Sequence, residues 1–241
     1  MIQIDELYTL FLQHPQVTTD SRDCPAGSLF FALKGESFDG NAYAKQALDS
    51  GCSYAVVDNP DVVDPIDKRF LLVDDVLTTL QQLANYHRRQ LNIPIIGVTG
   101  TNGKTTTKEL ISTVLSKKYN VLYTQGKFNN HIGVPKTLLR LNRQHEIAVI
   151  EMGANHPGEI KTLVNIVEPN YGIITNVGKA HLLGFGSFEG VIKTKGELYD
   201  FLREHDGTVF INENNPHLMG IADGLQLVSY GNNGELIDCS R

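Results

Sequence analysis

Ile95-Ile96-Gly97-Val98-Thr99-Gly100-Thr101-Asn102-Gly103-Lys104-Thr105 is the stretch on which the fold turns. Its first five residues are mostly apolar and follow the break at Asn92-Ile93-Pro94, so they read as the start of a buried strand. Glycines stand at 97, 100 and 103, then Lys-Thr, then a helical pattern over 108–115. Strand, glycine loop and helix in that order are the setting of a phosphate-binding loop. Glycines let main-chain N–H groups turn inward around phosphate oxygens, and a helix start adds partial positive charge. In that reading Lys104 meets the outer phosphates and the Thr105 hydroxyl binds Mg²⁺. The commonest loop pattern has a glycine where Val98 stands, so the rival reading is a glycine turn capping an ordinary helix.

Working outward, strands are expected at 121–123, 147–151, 172–176, 208–212 and 225–230. Helices are expected at 134–141, 160–167 and 188–202. Alternation with short loops predicts a parallel α/β sheet. The run 147–150 is wholly apolar, as the interior of such a sheet requires. Glu151 closes it, and ligands of open α/β sheets sit at the carboxyl ends of strands. Glu151 therefore reads either as a hard oxygen ligand for Mg²⁺ or as a solvated acid opening a loop.

Upstream, 1–15 reads as a helix with Ile4, Leu7, Leu10 and Phe11 on one face. A polar turn at 18–22, a strand at 28–33, a helix at 41–50 stopped by Gly51, and strands at 54–58 and 70–73 follow. A long helix at 75–91 carries Val76, Leu80, Leu83 and Tyr86/His87 on its apolar side. The break near 90–94 divides the chain into an N-terminal α/β domain, 1–92, and a phosphate-loop α/β domain with a parallel sheet, 93–241.

Composition bounds the function. Of 241 residues, 41% are hydrophobic and 20% charged, enough apolar material for a sizeable core. A net charge of -6 argues against a nucleic-acid partner, which favours a basic face. Cys24, Cys52 and Cys239 form no CxxC pair and read as reduced thiols. The acidic start, Met1-Ile2-Gln3-Ile4-Asp5-Glu6, is unlike a signal peptide, and no apolar run is long enough to span a bilayer. A cytoplasmic, monomeric protein without a membrane partner is expected.

Several segments together carry a resemblance. They are Gly100-Thr101-Asn102-Gly103-Lys104-Thr105-Thr106, Asn129-Asn130-His131-Ile132-Gly133-Val134-Pro135 and Glu151-Met152-Gly153-Ala154. Ala180-His181-Leu182-Leu183-Gly184-Phe185-Gly186-Ser187 and Lys195-Gly196-Glu197 continue the set. Asp20-Ser21-Arg22, Leu33-Lys34-Gly35-Glu36 and Phe38-Asp39-Gly40 precede them. In this order the segments resemble the Mur ligase superfamily, whose variant loop has the same glycine spacing. The segments at 129–135 and 180–187 are most similar to the branch that adds D-alanyl-D-alanine to UDP-N-acetylmuramoyl-tripeptide.

The resemblance implies a small uridine-nucleotide domain followed by an ATPase domain. It implies a reaction in which ATP phosphorylates a substrate carboxylate and an amine attacks the acyl phosphate. Gly100, Thr101, Asn102, Gly103, Lys104, Thr105 and Thr106 would bind ATP, with Asn212 and Asn215 near the adenine. Thr105 and Glu151 would hold one Mg²⁺, and His181 would help hold a second. Lys195 matches the family lysine carbamylated by CO₂, which turns a cation into an anionic oxygen donor suited to Mg²⁺. Lys104, Glu151, His181 and Lys195 are thus the implied catalytic set. Ser21, Arg22, Lys34, Gly35, Asp39, Asn129 and Asn130 would contact the UDP-linked substrate. Outside the motif, His181 is an ordinary polar loop residue, Lys195 a solvated helix lysine, and Asn129 and Asn130 turn residues with unusual backbone angles. Relatives often carry His where Asn41 stands, which argues against a specific contact there.

Members of the family have three domains, and this chain is expected to end inside the second. Two other readings remain open. One is a close relative with a different amine, such as a UDP-muramoyl-dipeptide amino-acid ligase or a folate-type ligase. The other is a module that binds a UDP-sugar and ATP without turnover.

Overall fold

A computed structural model describes residues 1–178, 182–231 and 237–238; His181 and Cys239 lie outside the described residues. The chain folds as two compact units, Met1–Gln90 with Leu138–Arg140, and Leu91–Thr137 with Leu141–Arg241.

In the first unit, α1 (Ile4–Gln13) starts with a capping box, in which the Gln3 main-chain N–H donates to Glu6 Oε2 at 3.2 Å. Its apolar stripe buries Leu7 and Phe11. Four strands, β1 (Val17–Thr18), β2 (Leu29–Phe31), β3 (Tyr54–Val57) and β4 (Phe70–Leu72), form a wholly parallel sheet in sequence order. The wholly buried β2, the inner face of α2 (Ala44–Asp49) and β3 build the core from Phe30, Ala44, Ala47, Leu48, Ala55 and Val57. The long helix α3 (Val76–Leu91) buries Val76, Leu80, Leu83, Ala84, His87 and Arg88.

Two expectations change in this unit. The polar turn begins one residue later than its first threonine: Thr18 is buried and paired with Phe30. Two residues carry no periodicity, so the sequence pattern could not mark this strand. The single helix expected at 41–50 is a 3₁₀ turn, Gly40–Tyr43, running into α2. The Asp39 carboxylate accepts the Asn41 main-chain N–H and fixes that tighter start.

The second unit is a larger doubly wound sheet. Its elements are β5 (Ile95–Thr99), α4 (Lys104–Leu115), β6 (Val121–Tyr123), α5 (Gly133–Leu138), β7 (Ile147–Glu151), α6 (Glu159–Val167), β8 (Tyr171–Ile174), α7 (Leu182–Phe185), α8 (Phe188–Glu204), β9 (Thr208–Asn212), α9 (Pro216–Met219), β10 (Gln226–Tyr230) and β11 (Ile237–Asp238). Strand order is β11-β10-β9-β8-β5-β7-β6, parallel throughout except for β11. The chain leaves β5 toward β6 and β7, then passes back across β5 to β8. That reversal makes the carboxyl end of β5 the natural ligand crevice.

Helix α4 begins at Lys104, four residues before its apolar pattern. Thr105 and Thr106 face solvent, so hydrophobic periodicity is silent over the first turn. Helix α5 stops at Leu138 and not at Leu141, and β8 stops at Ile174, which leaves Thr175 and Asn176 in a loop. None of the described helices is long and apolar enough to cross a membrane. Cys24 and Cys52 are free thiols, and the Cys24 thiol is pushed up to about 12 by burial and by its neighbour Cys52.

Candidate functional site

The phosphate loop is built on β5, whose five residues are all buried. Gly100 has φ 143°, and a Cβ there would run into Thr175 Oγ1. Gly103 has φ 76° and ends the loop as the N-cap of α4, and a Cβ there would meet nothing within 4 Å. The first glycine is needed for close packing, the second for a left-handed turn facing open space. Lys104 folds over the loop: Nζ donates to the main-chain oxygens of Gly100 at 2.8 Å and Thr101 at 3.1 Å. Partial burial lowers its pKa, against an opposing pull from Glu151.

The loop is braced from the end of β8. Thr101 N donates to Asn176 O at 3.0 Å, and Gly178 N to Thr101 Oγ1 at 2.9 Å. Thr175 Oγ1 and Asn176 Nδ2 both donate to Asn102 O, at 2.6 and 3.0 Å, and Asn102 N donates to Asn176 Oδ1 at 3.0 Å. Sequence reading did not single out Thr175 or Asn176. Their partners lie 73 and 74 residues away in the chain, so local sequence carried no signal for them.

Glu151 is the last residue of β7 and only 2% exposed. Its main-chain N donates to Thr124 Oγ1 at 3.0 Å, and its Oε1 accepts Asn129 Nδ2 at 2.8 Å. Its Oε2 is buried and has no hydrogen-bond partner. Such an orphan costs on the order of 1–3 kcal/mol or more until something satisfies it. A hard divalent cation suits that oxygen, with the exposed Thr105 hydroxyl at the start of α4 as a second donor. Among the described residues no three His, Cys, Asp or Glu side chains cluster as a metal cage.

Behind Glu151 lies Lys108, fully buried and also not anticipated. Its Nζ donates to Thr124 O at 2.7 Å, pairs with Glu109 Oε1 at 2.8 Å, and lies over the Tyr123 ring. These contacts offset the cost of burying an ammonium, several kcal/mol when unpaired. They also fix the loop that carries Thr124.

Asn129 and Asn130 separate in role. Neither adopts positive φ; the described non-glycine residues that do are Asn92, Glu168 and Asp206. Asn130 Oδ1 accepts Ile132 N at 3.1 Å and Gly133 N at 2.8 Å, so it caps α5. Asn129 turns its carboxamide toward Glu151.

Lys195 lies in α8, whose start is fixed by Ser187 Oγ accepting Gly190 N. It is 2% exposed, and Nζ donates to Ala154 O at 3.3 Å, beside the Phe185 ring. Burial, helped by the Lys104 charge, pulls its pKa down to about 8. It is therefore no solvated surface lysine. Glu197, one half-turn on, accepts Gly158 N and Lys161 N and so ties α8 to the start of α6.

Asn212 ends β9, two strands from β5 along the same sheet edge, and its Oδ1 accepts Asn214 N at 3.0 Å. Asn215 caps α9, accepting His217 N and Leu218 N.

In the first unit the sequence-derived candidates all follow carboxyl ends of parallel strands. Ser21 and Arg22 lie beyond β1, and the exposed Arg22 guanidinium closes onto Asp20 at 2.8 and 2.9 Å. Lys34, Gly35 and Asp39 lie beyond β2 in a tight turn, closed by Gly35 N donating to Phe38 O at 2.9 Å. Lys34 Nζ pairs with Asp58 Oδ1 at 2.8 Å. Asn41 is buried between the acids: Nδ2 donates to Asp39 Oδ1 at 2.7 Å and Asp58 Oδ1 at 2.8 Å. Its Oδ1 accepts Asp58 N and Asn59 N, at 3.0 and 3.2 Å. Asn41 thus holds the turn, and Asp58 also accepts the first N–H of α3. Sequence reading missed both residues as one network because they are 17 apart in the chain.

Residues 98–239 match the family described as Mur ligase middle domain, and residues 15–88 the one described as Mur ligase family, catalytic domain. A Bacillus subtilis protein named UDP-N-acetylmuramoyl-tripeptide--D-alanyl-D-alanine ligase is 42% identical over 229 residues, 93% of this chain and 50% of its own length. A crystal structure of MurF from Acinetobacter baumannii superposes with a TM-score of 0.82 at 38% identity, covering 91% of this chain and 48% of that one. MurF from Thermotoga maritima, in complex with ADP, gives 0.82 at 31% identity, covering 91% and 51%. The chain spans about half the length of the curated relatives it matches. With a family match across more than half of its residues, on a sheet in which the strand carrying the loop pairs with the strand ending in Glu151, the chain belongs to the Mur ligase family.

Proposed function

We propose that this chain is part of a cytoplasmic, ATP-dependent ligase that joins D-alanyl-D-alanine to UDP-N-acetylmuramoyl-tripeptide in peptidoglycan precursor synthesis. The observation that carries the reading is the 42% identity to a ligase of that name across 93% of this chain. The folded phosphate loop and the buried Glu151 support it.

In this reading residues 93–241 hold the nucleotide and residues 1–92 the uridine-linked substrate. Main-chain N–H groups of 100–105 and the start of α4 receive the ATP phosphates, and Lys104 moves from its own loop carbonyls to the outer phosphate oxygens. Thr105 and Glu151 Oε2 would hold Mg²⁺, with His181 and Lys195 serving a second ion. The metal, when bound, neutralises charge as the terminal phosphoryl group passes to the substrate carboxylate. The D-alanyl-D-alanine amine then attacks the acyl phosphate, forming the amide and releasing phosphate. A buried Lys195 amine with a pKa near 8 is partly neutral at physiological pH, the form that adds to CO₂ to give a carbamate. Lys34, Ser21, Arg22, Gly35 and Asp39 would line the uridine diphosphate side, where cations suit an anion. Asn212 and Asn215 would stand on the adenine side. The protein acts as a monomer on small molecules, without nucleic acid or membrane.

The test is phosphate release by the full-length gene product with ATP, Mg²⁺, bicarbonate and UDP-N-acetylmuramoyl-tripeptide. Release that requires D-alanyl-D-alanine, with the pentapeptide found by mass, is the expected result. Release that requires a different amine, or binding of both nucleotides without release, overturns it.

A further inference from the structure

We propose that Asn129 is a positioning residue for the divalent cation: its carboxamide occupies one oxygen of Glu151 and thereby presents the other, Oε2, to the metal. The inference deepens the proposed function and rests on its reading of Glu151 as a metal ligand.

Three observations carry it. First, Asn129 Nδ2 donates to Glu151 Oε1 at 2.8 Å, while Oε2 of the same carboxylate is buried and without a partner. The two oxygens are made unequal by this one contact. Second, Glu151 is fixed from behind, because its main-chain N donates to Thr124 Oγ1 at 3.0 Å and Thr124 O receives the buried Lys108 ammonium. These contacts hold the main chain of Glu151, and Asn129 restrains the carboxylate itself. Third, Asn129 is itself clamped. Its main-chain O accepts Gly153 N at 2.8 Å, and a Cβ at Gly153 would press on the carboxamide at 3.0–3.1 Å. The missing side chain at 153 makes room for the amide to face Glu151. The adjacent Asn130 spends its oxygen on the start of α5. Of two consecutive asparagines, one holds a helix and the other aims an acid.

A carboxylate with one oxygen bound by an amide can offer a cation a single oxygen. Outer-shell partners that orient a ligand in this way are worth about 10–100-fold in metal affinity. A direct substrate contact at Asn129 would instead lower affinity for the UDP-linked peptide.

The probe is Mn²⁺, titrated by electron paramagnetic resonance into the full-length gene product with a non-hydrolysable ATP analogue. Asn129→Leu, close in size but without a donor, and Asn129→Ala are compared with the unmodified protein. The expected result is Mn²⁺ bound about tenfold or more weakly by both variants. Metal-free nucleotide affinity and UDP-peptide affinity stay near those of the parent, and both variants fold with a thermal midpoint lower by about 2–4 °C, because a buried carboxylate oxygen has lost its partner. Unchanged Mn²⁺ affinity, or a loss confined to the UDP-peptide, overturns the proposal. Absence of Mn²⁺ binding by the unmodified protein overturns the metal reading itself, and this inference with it. A crystal structure of the unmodified protein with Mn²⁺ and the analogue tests the same point without a variant. Metal on Oε2 with Asn129 on Oε1 supports the proposal, and a bidentate Glu151 overturns it.

Discussion

The carboxamide of Asn176 and the main chain of Asn102 exchange two hydrogen bonds, Asn102 N to Oδ1 and Nδ2 to Asn102 O, both at 3.0 Å. One side chain just beyond β8 thus copies the pairing of a neighbouring strand and fixes the phosphate loop at Asn102.

Asn176→Ala removes both bonds but leaves Thr175 Oγ1 on Asn102 O. Each bond is worth about 0.5–1.5 kcal/mol net, so ADP affinity should fall by about tenfold. The thermal midpoint should move little, because the site is exposed. Calorimetric titration with ADP measures this, and an unchanged affinity would remove Asn176 from the site.

Gly100→Ala and Gly103→Ala should fail in opposite ways. The first forces a methyl group into Thr175 at φ 143°, so the protein should lose stability by about 2 kcal/mol or more. The second meets open space at φ 76° and should fold with a penalty of about 1 kcal/mol. A side chain at the N-cap of α4, where the phosphates are proposed to bind, should weaken nucleotide binding. Denaturant melts beside ADP titrations separate the two, and equal stability in both would contradict the packing difference.

Lys195 should react with CO₂ on a displaced pH scale. The reactive form is the neutral amine, and burial lowers the pKa to about 8, so the neutral fraction grows as pH rises toward 8. At fixed dissolved CO₂ the rate should climb about tenfold per pH unit below 8 and level off above it. Carbon-13 NMR with labelled CO₂ follows the adduct. An inflection near the usual lysine value of about 10.4 would show a solvated amine instead.

Asn41→Ala should cost about 2–3 kcal/mol, because it strips partners from Asp58 N and Asn59 N and from two carboxylates. Asp58 adds an acid dependence. Burial raises its pKa, but Lys34, Asn41 and the Val76 N–H outweigh burial and leave it below the usual value. Stability from these partners is present above the unfolded carboxyl pKa of about 3.9 and is lost as pH falls through the depressed one. Urea melts between pH 2 and about 6 should show a shallower slope in Asn41→Ala, since one partner is gone. The same slope in both proteins would mean that Asn41 does not hold the carboxylate.

Sequence pattern carried the two sheets well wherever apolar runs were long enough to have a period. Ile95–Thr99 and Ile147–Glu151 are strands to the residue. Pattern was blind where polar residues do the folding. The first turn of α4 is a run of threonines, the strand at Val17–Thr18 is two residues long, and the 3₁₀ start before α2 is set by Asp39. The site divides in the same way. Lys104, Glu151 and Lys195 could be singled out as candidates because motifs name residues. Asn176, Thr124, Lys108 and Asp58 could not, because each acts through a partner distant in sequence, a relation that only folding reveals. Asn129 was read as a substrate contact, and its hydrogen bond to Glu151 was not foreseen.

Lys104 spends its resting bonds on the carbonyls of Gly100 and Thr101. Those two carbonyl oxygens take the place that phosphate oxygens would have on the ammonium, so the loop supplies its own lysine with acceptors. An arriving phosphate exchanges partners with a loop that is already ordered, so the entropy of shaping the cradle has been met during folding. Selectivity follows from the same exchange: a neutral molecule of similar size offers the ammonium nothing better than the two oxygens it would leave.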